Sequence, residues 1–289
     1  MPSQSIGPIT GIDHVVILVR DLDQAAERYR KLGFALTPRG THSPHMGTGN
    51  YCIMFQTDYM ELLGVLQPTE NNATWRQRLG QGEGLKSVAL ASEDAGAAQQ
   101  HFQACGYAAT APLEFGRPVD TPQGSRDAKF KVVRVPEDAV PAFAVFVCQH
   151  FTRELVWLPE YQRHPNTVTG IAALVVTTPN PATTSAPYAR IFGAEPKMDQ
   201  WGDITVDAGK GRQVRFISPD RARVIYDGAL APQGETYVAA VELWVEGTGR
   251  TAAVLAQNGM LHDRPADGRV RVRAEHAAGV VFDFVETKR

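Results

Sequence analysis

The chain has 289 residues, of which 43% are apolar and 21% charged, and its formal net charge is −2. That length exceeds the common single-domain size and predicts two domains, each with enough apolar sequence for a core. Near-neutral charge, with Lys and Arg scattered singly, excludes the basic stripe that nucleic acid or an anionic membrane surface would require.

The three cysteines, Cys52, Cys105 and Cys148, show neither metal-site nor redox spacing. They read as buried thiols in a reducing cytoplasm. Met1-Pro2-Ser3-Gln4-Ser5 offers no basic stretch followed by an apolar one, and no apolar run is long enough for a bilayer.

In chain order, Gly11-Ile12-Asp13-His14-Val15-Val16-Ile17-Leu18-Val19 is a β-branched run and predicts a strand. Asp21 or Asp23 then offers a helix N-cap, and Ala25 to Leu32 predicts a helix ending at Gly33. Tyr51 to Phe55 and Tyr59 to Val65 predict two further strands. A second copy opens at Gly84-Leu85-Lys86-Ser87-Val88, has a helix over Ala95 to Ala104 ending at Gly106, and strands over Lys131 to Val135 and Phe143 to Gln149.

Thr152 to Asn166, with Pro159 and Pro165, breaks the pattern and predicts a connector whose Leu155-Val156-Trp157 packs down on a neighbour. A third copy starts at Gly170-Ile171-Ala172-Ala173 and reaches Gly193, with strands over Val214 to Ile217 and Arg223 to Tyr226. The fourth runs from Val238-Ala239-Ala240 to Gly259, with strands over Val270 to Arg273 and Val280 to Val285. From His14, Ser87, Ala173 and Ala240 to the following glycine the separations are 19, 19, 20 and 19 residues. A glycine just past a helix end takes the left-handed conformation that closes the last turn. Four such spacings establish an internal repeat.

The fold class is therefore α+β, with four βαβββ units; the family resemblance described below implies that they pair into two domains of mixed sheet curled around a cleft. Residues 1–151 form the first domain (units 11–66 and 84–150), 152–166 the connector, and 167–289 a second, degenerate domain (units 168–228 and 236–287).

Gly11-Ile12-Asp13-His14-Val15 and Tyr59-Met60-Glu61-Leu62-Leu63 match the first- and fourth-strand motifs of the vicinal oxygen chelate superfamily. That superfamily includes glyoxalase I, the extradiol dioxygenases and the bleomycin-resistance proteins. His42-Ser43-Pro44-His45-Met46-Gly47-Thr48-Gly49-Asn50 resembles a glyoxalase-like subgroup within it. The resemblance implies one divalent metal ion (Zn, Ni, Mn or Fe) in the cleft, with His14 and Glu61 as ligands from the first unit.

Ser87 replaces the histidine expected on the second unit's first strand and is a poor ligand. The end of that unit's last strand offers Gln149 or His150, which face opposite ways, and His150 is the better donor. Ala173 and Ala240 empty the first-strand positions of the second domain, where only Asp283 sits at a fourth-strand carboxylate position.

Glu61 lies in an apolar run, where an ionised carboxylate needs a partner or a metal. His42 and His45 precede a Gly-rich segment, which reads either as a polar surface loop or as the cleft mouth. In the second reading His45 is an acid/base or an extra ligand, and His42 and Asn50 meet the substrate. His164, His262 and His276 lie in turn contexts and read as solvated, and the four tryptophans as packing residues.

The expected function is a metal-dependent glyoxalase-like isomerase or lyase, with His45 and Glu61 catalytic, acting on vicinal oxygens through a metal-stabilised enediolate. The alternatives are an extradiol-type iron dioxygenase, since two histidines and a carboxylate make an iron triad, and a metal-free binding or sequestration protein. The expected partner is a small-molecule substrate or ligand, with no nucleic acid and no membrane, and a homodimer is compatible with this reading.

Overall fold

The computed structural model describes residues 7–121, 124–136 and 138–287; Met1 to Ser5, read above for a leader, fall outside them. The β-branched run at the start becomes β1 (Gly11–Val19), whose nine residues are all buried. It is followed by α1 (Leu22–Lys31), β2 (Gly40–Thr41), β3 (Thr48–Met54), β4 (Tyr59–Val65) and α2 (Ala73–Gly80). The second unit comprises β5 (Gly84–Ala91), α3 (Ala95–Ala104), β6 (Leu113–Thr121), β7 (Gly124–Arg134) and β8 (Ala144–His150). These eight strands form one mixed sheet in the order β2-β3-β4-β1-β5-β8-β7-β6.

The second half contains β9 (Val168–Thr177), α4 (Pro181–Phe192), β10 (Lys197–Met198), β11 (Ile204–Asp207), β12 (Gln213–Ile217) and α5 (Pro219–Tyr226). It ends with β13 (Tyr237–Val245), α6 (Thr248–Gln257), β14 (Val270–Val272) and β15 (Val281–Glu286). Its seven strands are ordered β10-β11-β12-β9-β13-β15-β14. In each half the first strands of two consecutive units are antiparallel neighbours, β1 with β5 and β9 with β13.

The repeat is visible in local conformation. Asp21 caps α1 by accepting from Gln24 N at 2.9 Å, and Asp94 caps α3 by accepting from Gly96 N and Ala97 N. Gly33, Gly106, Gly193 and Gly259 have φ of 84°, 89°, 61° and 69°, the left-handed region expected at all four helix ends. Four helices, α1, α3, α4 and α6, pack in one apolar core that holds Val15 and Tyr29 of the first half together with Tyr188 and Phe282 of the second.

Several expectations need correction. Arg223 to Tyr226 is not a strand but the end of α5, which begins with Ser218 accepting from Arg221 N and Pro219 in the first turn. Ser-Pro at that point is a helix start, and it outweighs the β-branched Val224 and Ile225. α2 and the strand β6 lie where no element was expected. The fourth unit has three strands, with an isolated bridge between Asp263 and Arg271 beside them.

His164 is buried, not solvated. Its Nδ1 accepts from Ala35 N at 3.0 Å and its Nε2 donates to Met54 O at 2.9 Å, and burial pushes its pKa down. The connector does pack down: Leu155, Val156 and Trp157 are buried against Tyr59, Phe130 and Cys148. Among the described residues, no helix is long and apolar enough to cross a membrane.

Candidate metal centre

The register of the parallel strand pairs defines four equivalent positions for ligands. His14 on β1 stands opposite Tyr59 on β4, and Glu61 lies two residues beyond Tyr59 on the same face. Ser87 on β5 stands opposite Ala144 on β8, so the position equivalent to Glu61 is Phe146. In the second half Ala173 stands opposite Gln213 and Ala240 opposite Val281, which places Arg215 and Asp283 at the corresponding positions. Only the first unit therefore carries a donor at both places.

That donor pair is oriented from behind. His14 Nδ1 is 2.7 Å from Asp13 Oδ2, leaving His14 Nε2 3.8 Å from Glu61 Oε2. Asn50 Nδ2 donates to Glu61 Oε1 at 2.6 Å, which turns the other carboxylate oxygen toward the imidazole. The His14 ring stacks on Tyr59, with centroids 4.3 Å apart, and meets the edge of Phe146 at 5.6 Å. Ser87 Oγ donates to Ala144 O and is not free to act as a ligand.

Strand alternation would turn Asp13 away from His14. Instead the β1–β5 register passes from Ile12 opposite Leu90 directly to His14 opposite Ala89, so Asp13 is the extra residue of a β-bulge. A bulge adds one residue to one strand and re-aims side chains, which lets Asp13 and His14 share the cleft face. Asp13 is 2% exposed. Burial alone would raise its pKa, but hydrogen bonds from His14 and His150 outweigh that and hold it well below the usual carboxylate range.

His150 lies four residues beyond Phe146, about 13 Å along the strand at the usual rise. Its Nε2 is 3.1 Å from Asp13 Oδ2, and its Nδ1 is buried without a partner. His150 thus faces the cleft and reaches the support of the first-unit pair, while Gln149 on the opposite face binds Ala95 N and Glu93 O at the start of α3. Among the described residues, Asp13, Cys148 and His150 place ligand atoms within 4.8 Å of one another. Burial, and then the charge of Asp13, push the Cys148 thiol up well above its ordinary value, which keeps it protonated.

The loop histidines stay apart from this group. His42 Nδ1 pairs with Thr48 Oγ1 at 2.7 Å, and the exposed His45 has its Nε2 3.3 Å from Ser43 Oγ. No contact among the described residues joins His45 to His14 or Glu61. Sequence reading missed Asp13, Tyr59 and Trp157. Trp157 closes one end of the cleft, edge-on to His150 and Tyr59, with the Arg153 guanidinium 3.3 Å above its ring. At the other end Trp75 and Leu79 of α2 pack on Val16, Leu18 and Leu63.

In the second half the cleft is filled. Tyr226 and Ala222 of α5 pack against Val175, Ala240 and Val281. Asp283 is held by Arg269 Nη1 at 2.7 Å and Arg271 Nε at 2.7 Å, and Glu242 by Arg215 and Arg269. Carboxylates neutralised by arginines in this way offer a second cation little attraction.

Paired βαβββ units in two curled mixed sheets, with donors at the first- and fourth-strand positions, define a protein of the vicinal oxygen chelate superfamily. Within that class the glyoxalase-like domain profile matches residues 12–192, and the chain belongs to the glyoxalase-like family. The match extends through the connector into the third unit.

A hypothetical protein from Staphylococcus aureus shares the fold with a TM-score of 0.67 and 14% identity, over 96% of this chain and 99% of that one. A xylose isomerase-like TIM barrel/4-hydroxyphenylpyruvate dioxygenase fusion protein aligns with a TM-score of 0.61 and 14% identity, over 100% of this chain and 50% of its own. A variant of 4-hydroxymandelate synthase from Streptomyces coelicolor aligns with a TM-score of 0.60 and 12% identity, over 96% and 93%. At such identities the likeness is one of fold. No curated protein sequence matches the chain.

Proposed function

We propose that the chain is a metal-dependent enzyme of the glyoxalase-like type, acting on a small molecule with vicinal oxygens in the cleft of its first half. The observation that carries this reading is the facing pair of acceptors, His14 Nε2 and Glu61 Oε2, 3.8 Å apart with no donor between them. Asp13 behind His14 supplies the carboxylate–histidine arrangement that fixes a ligand imidazole in its tautomer.

The residues present fit a divalent ion at His14 and Glu61, with coordination positions left for substrate. Such an ion supplies a Lewis acid for an oxyanion developing on vicinal oxygens. Asn50 keeps Glu61 Oε1 occupied, so Glu61 Oε2 is the oxygen turned toward His14 Nε2 that would hold the ion. Tyr59, Phe146 and Trp157 exclude water from the imidazole face, and Arg153, half-exposed beside Asp13, flanks the group with positive charge. His150 acts through Asp13 by holding its second lone pair.

The test is metal content of wild type, His14→Ala and Glu61→Ala after reconstitution with Zn, Ni, Mn and Fe. The expected result is about one ion per chain in wild type and none in either variant. A His150→Ala protein should keep the ion with affinity lower by about 10–100-fold.

A second reading has its own support. Ser87 and Phe146 leave the opposing unit without donors at the two equivalent positions, as suits a metal-free small-molecule binding protein in which His14 bridges Asp13 and Glu61. Wild-type protein that stays free of metal after reconstitution would decide for it.

A further inference from the structure

Behind the His14–Glu61 pair lies a second group of donor atoms, of different chemistry. Cys148 and His150 alternate onto the same face of β8, and the bulge at Asp13 turns its carboxylate to meet them. His150 Nε2 is 3.1 Å from Asp13 Oδ2 and 3.6 Å from Cys148 Sγ, and the three ligand atoms lie within 4.8 Å of one another. Asp13 and Cys148 are buried, and the His150 side chain is 5% exposed.

His150 Nδ1 is buried without a partner, so no contact on that side of the ring fixes the proton to Nε2. The surroundings are aromatic: Phe130 and Trp157 meet the His150 ring edge-on, with centroids 4.9 Å and 5.0 Å away. One sulfur, one imidazole nitrogen and one carboxylate oxygen make the protein's share of a tetrahedral zinc site with one position open. The sulfur sets the class of ion, because thiolate selects zinc and softer metals over magnesium, calcium or manganese. Such an ion displaces the thiol and imidazole protons as it binds.

We propose that Asp13, Cys148 and His150 bind a thiophilic divalent cation, zinc or cadmium, at a site distinct from the His14–Glu61 pair and coupled to it through Asp13. The ion takes Asp13 Oδ2, the oxygen that also accepts from His14 Nδ1. Charge drawn from that oxygen loosens its hold on the imidazole, so occupancy here opposes a metal at His14 and Glu61. The coupling rests on the metal-dependent reading of the His14–Glu61 pair, whereas the site itself does not.

The experiment is titration of the metal-free full chain with cadmium, followed by the ultraviolet charge-transfer band of a thiolate–cadmium bond. The band should appear in wild type, Cys52→Ala and Cys105→Ala, and saturate at about one ion per chain in Glu61→Ala, where the other site is removed. It should be absent in Cys148→Ala. His150→Gln keeps the thiol, so it tests the site even if Cys148→Ala does not fold, and it should need at least about 10-fold more cadmium. No band in wild type overturns the proposal. So does a band that survives in Cys148→Ala, is lost in Cys52→Ala, or is unchanged in His150→Gln.

Manganese, a harder ion without such a band, reports on the other site through its electron paramagnetic resonance. Its affinity should fall by about 10–100-fold once cadmium fills this one, and an unchanged affinity overturns the coupling. A full cadmium band in a protein that binds no manganese even without cadmium sinks the His14–Glu61 reading and leaves this site standing. Manganese binding without a cadmium band does the reverse.

Discussion

Asp13 accepts from His14 Nδ1 at 2.7 Å and from His150 Nε2 at 3.1 Å through the same oxygen, in a setting closed to solvent. An amide in its place keeps one acceptor oxygen for the histidines but loses the charge, and it turns its NH2 group toward the Arg153 guanidinium, 4.0 Å from Asp13 Oδ1. Asp13→Asn should therefore destabilise the fold by about 3 kcal/mol, the cost of breaking a buried charged network. It should also weaken any metal at His14 by about 10–100-fold, since the imidazole loses its orienting carboxylate. Urea unfolding measures the first effect and chelator competition the second.

His14 and Glu61 could be read from the sequence because a motif and an oddly placed carboxylate pointed at them. Asp13 could not, because alternation assigns it to the opposite face. The bulge that reverses this depends on pairing with β5, where Leu90 and Ala89 stand opposite Ile12 and His14, far along the chain, and no local pattern records it.

At the scale of elements, the glycine spacing found four helix ends, and the space around each glycine separates their energetics. A Cβ on Gly106 would meet nothing within 4 Å, whereas one on Gly33 would lie 2.8 Å from Asn166 Cβ and 2.8 Å from Val254 Cγ1. Gly106→Ala pays only for its left-handed backbone and should cost about 1 kcal/mol. Gly33→Ala adds a clash with the connector and with α6, and should cost about 3 kcal/mol. Chemical denaturation of the two variants checks the order, and equal losses would mean that the connector yields freely at Asn166.

The same contrast explains what the sequence left hidden among the elements. β1 and α3 declare themselves by composition and caps, but α5 occupies a position where the repeat calls for a strand. Its Ser218-Pro219 start, and the cleft that Tyr226 fills, take precedence over repeat analogy. α2 has no buried residue of its own, so it gave no apolar periodicity to find.

Across the whole molecule, the two halves differ in what their clefts contain and share one core. The first cleft keeps His14 and Glu61 facing each other, while the second is closed by α5 and by arginines on Asp283 and Glu242. The halves are also joined by an ion pair. Asp58, fully buried, accepts from Arg212 Nε at 2.7 Å and from Ile171 N at 3.1 Å, and Arg212 lies under the Trp244 ring.

Removing one partner leaves the other charged, buried and unmatched, so Asp58→Ala should cost about 3–5 kcal/mol. Asp58→Ala combined with Arg212→Met removes both charges and should recover a large part of that loss. The measurement is urea unfolding followed by two probes, one in each half. Because the helices of both halves share the core, the transitions should coincide in every variant. Separate transitions in Asp58→Ala would show that the ion pair, and not the apolar core, makes the molecule one cooperative unit.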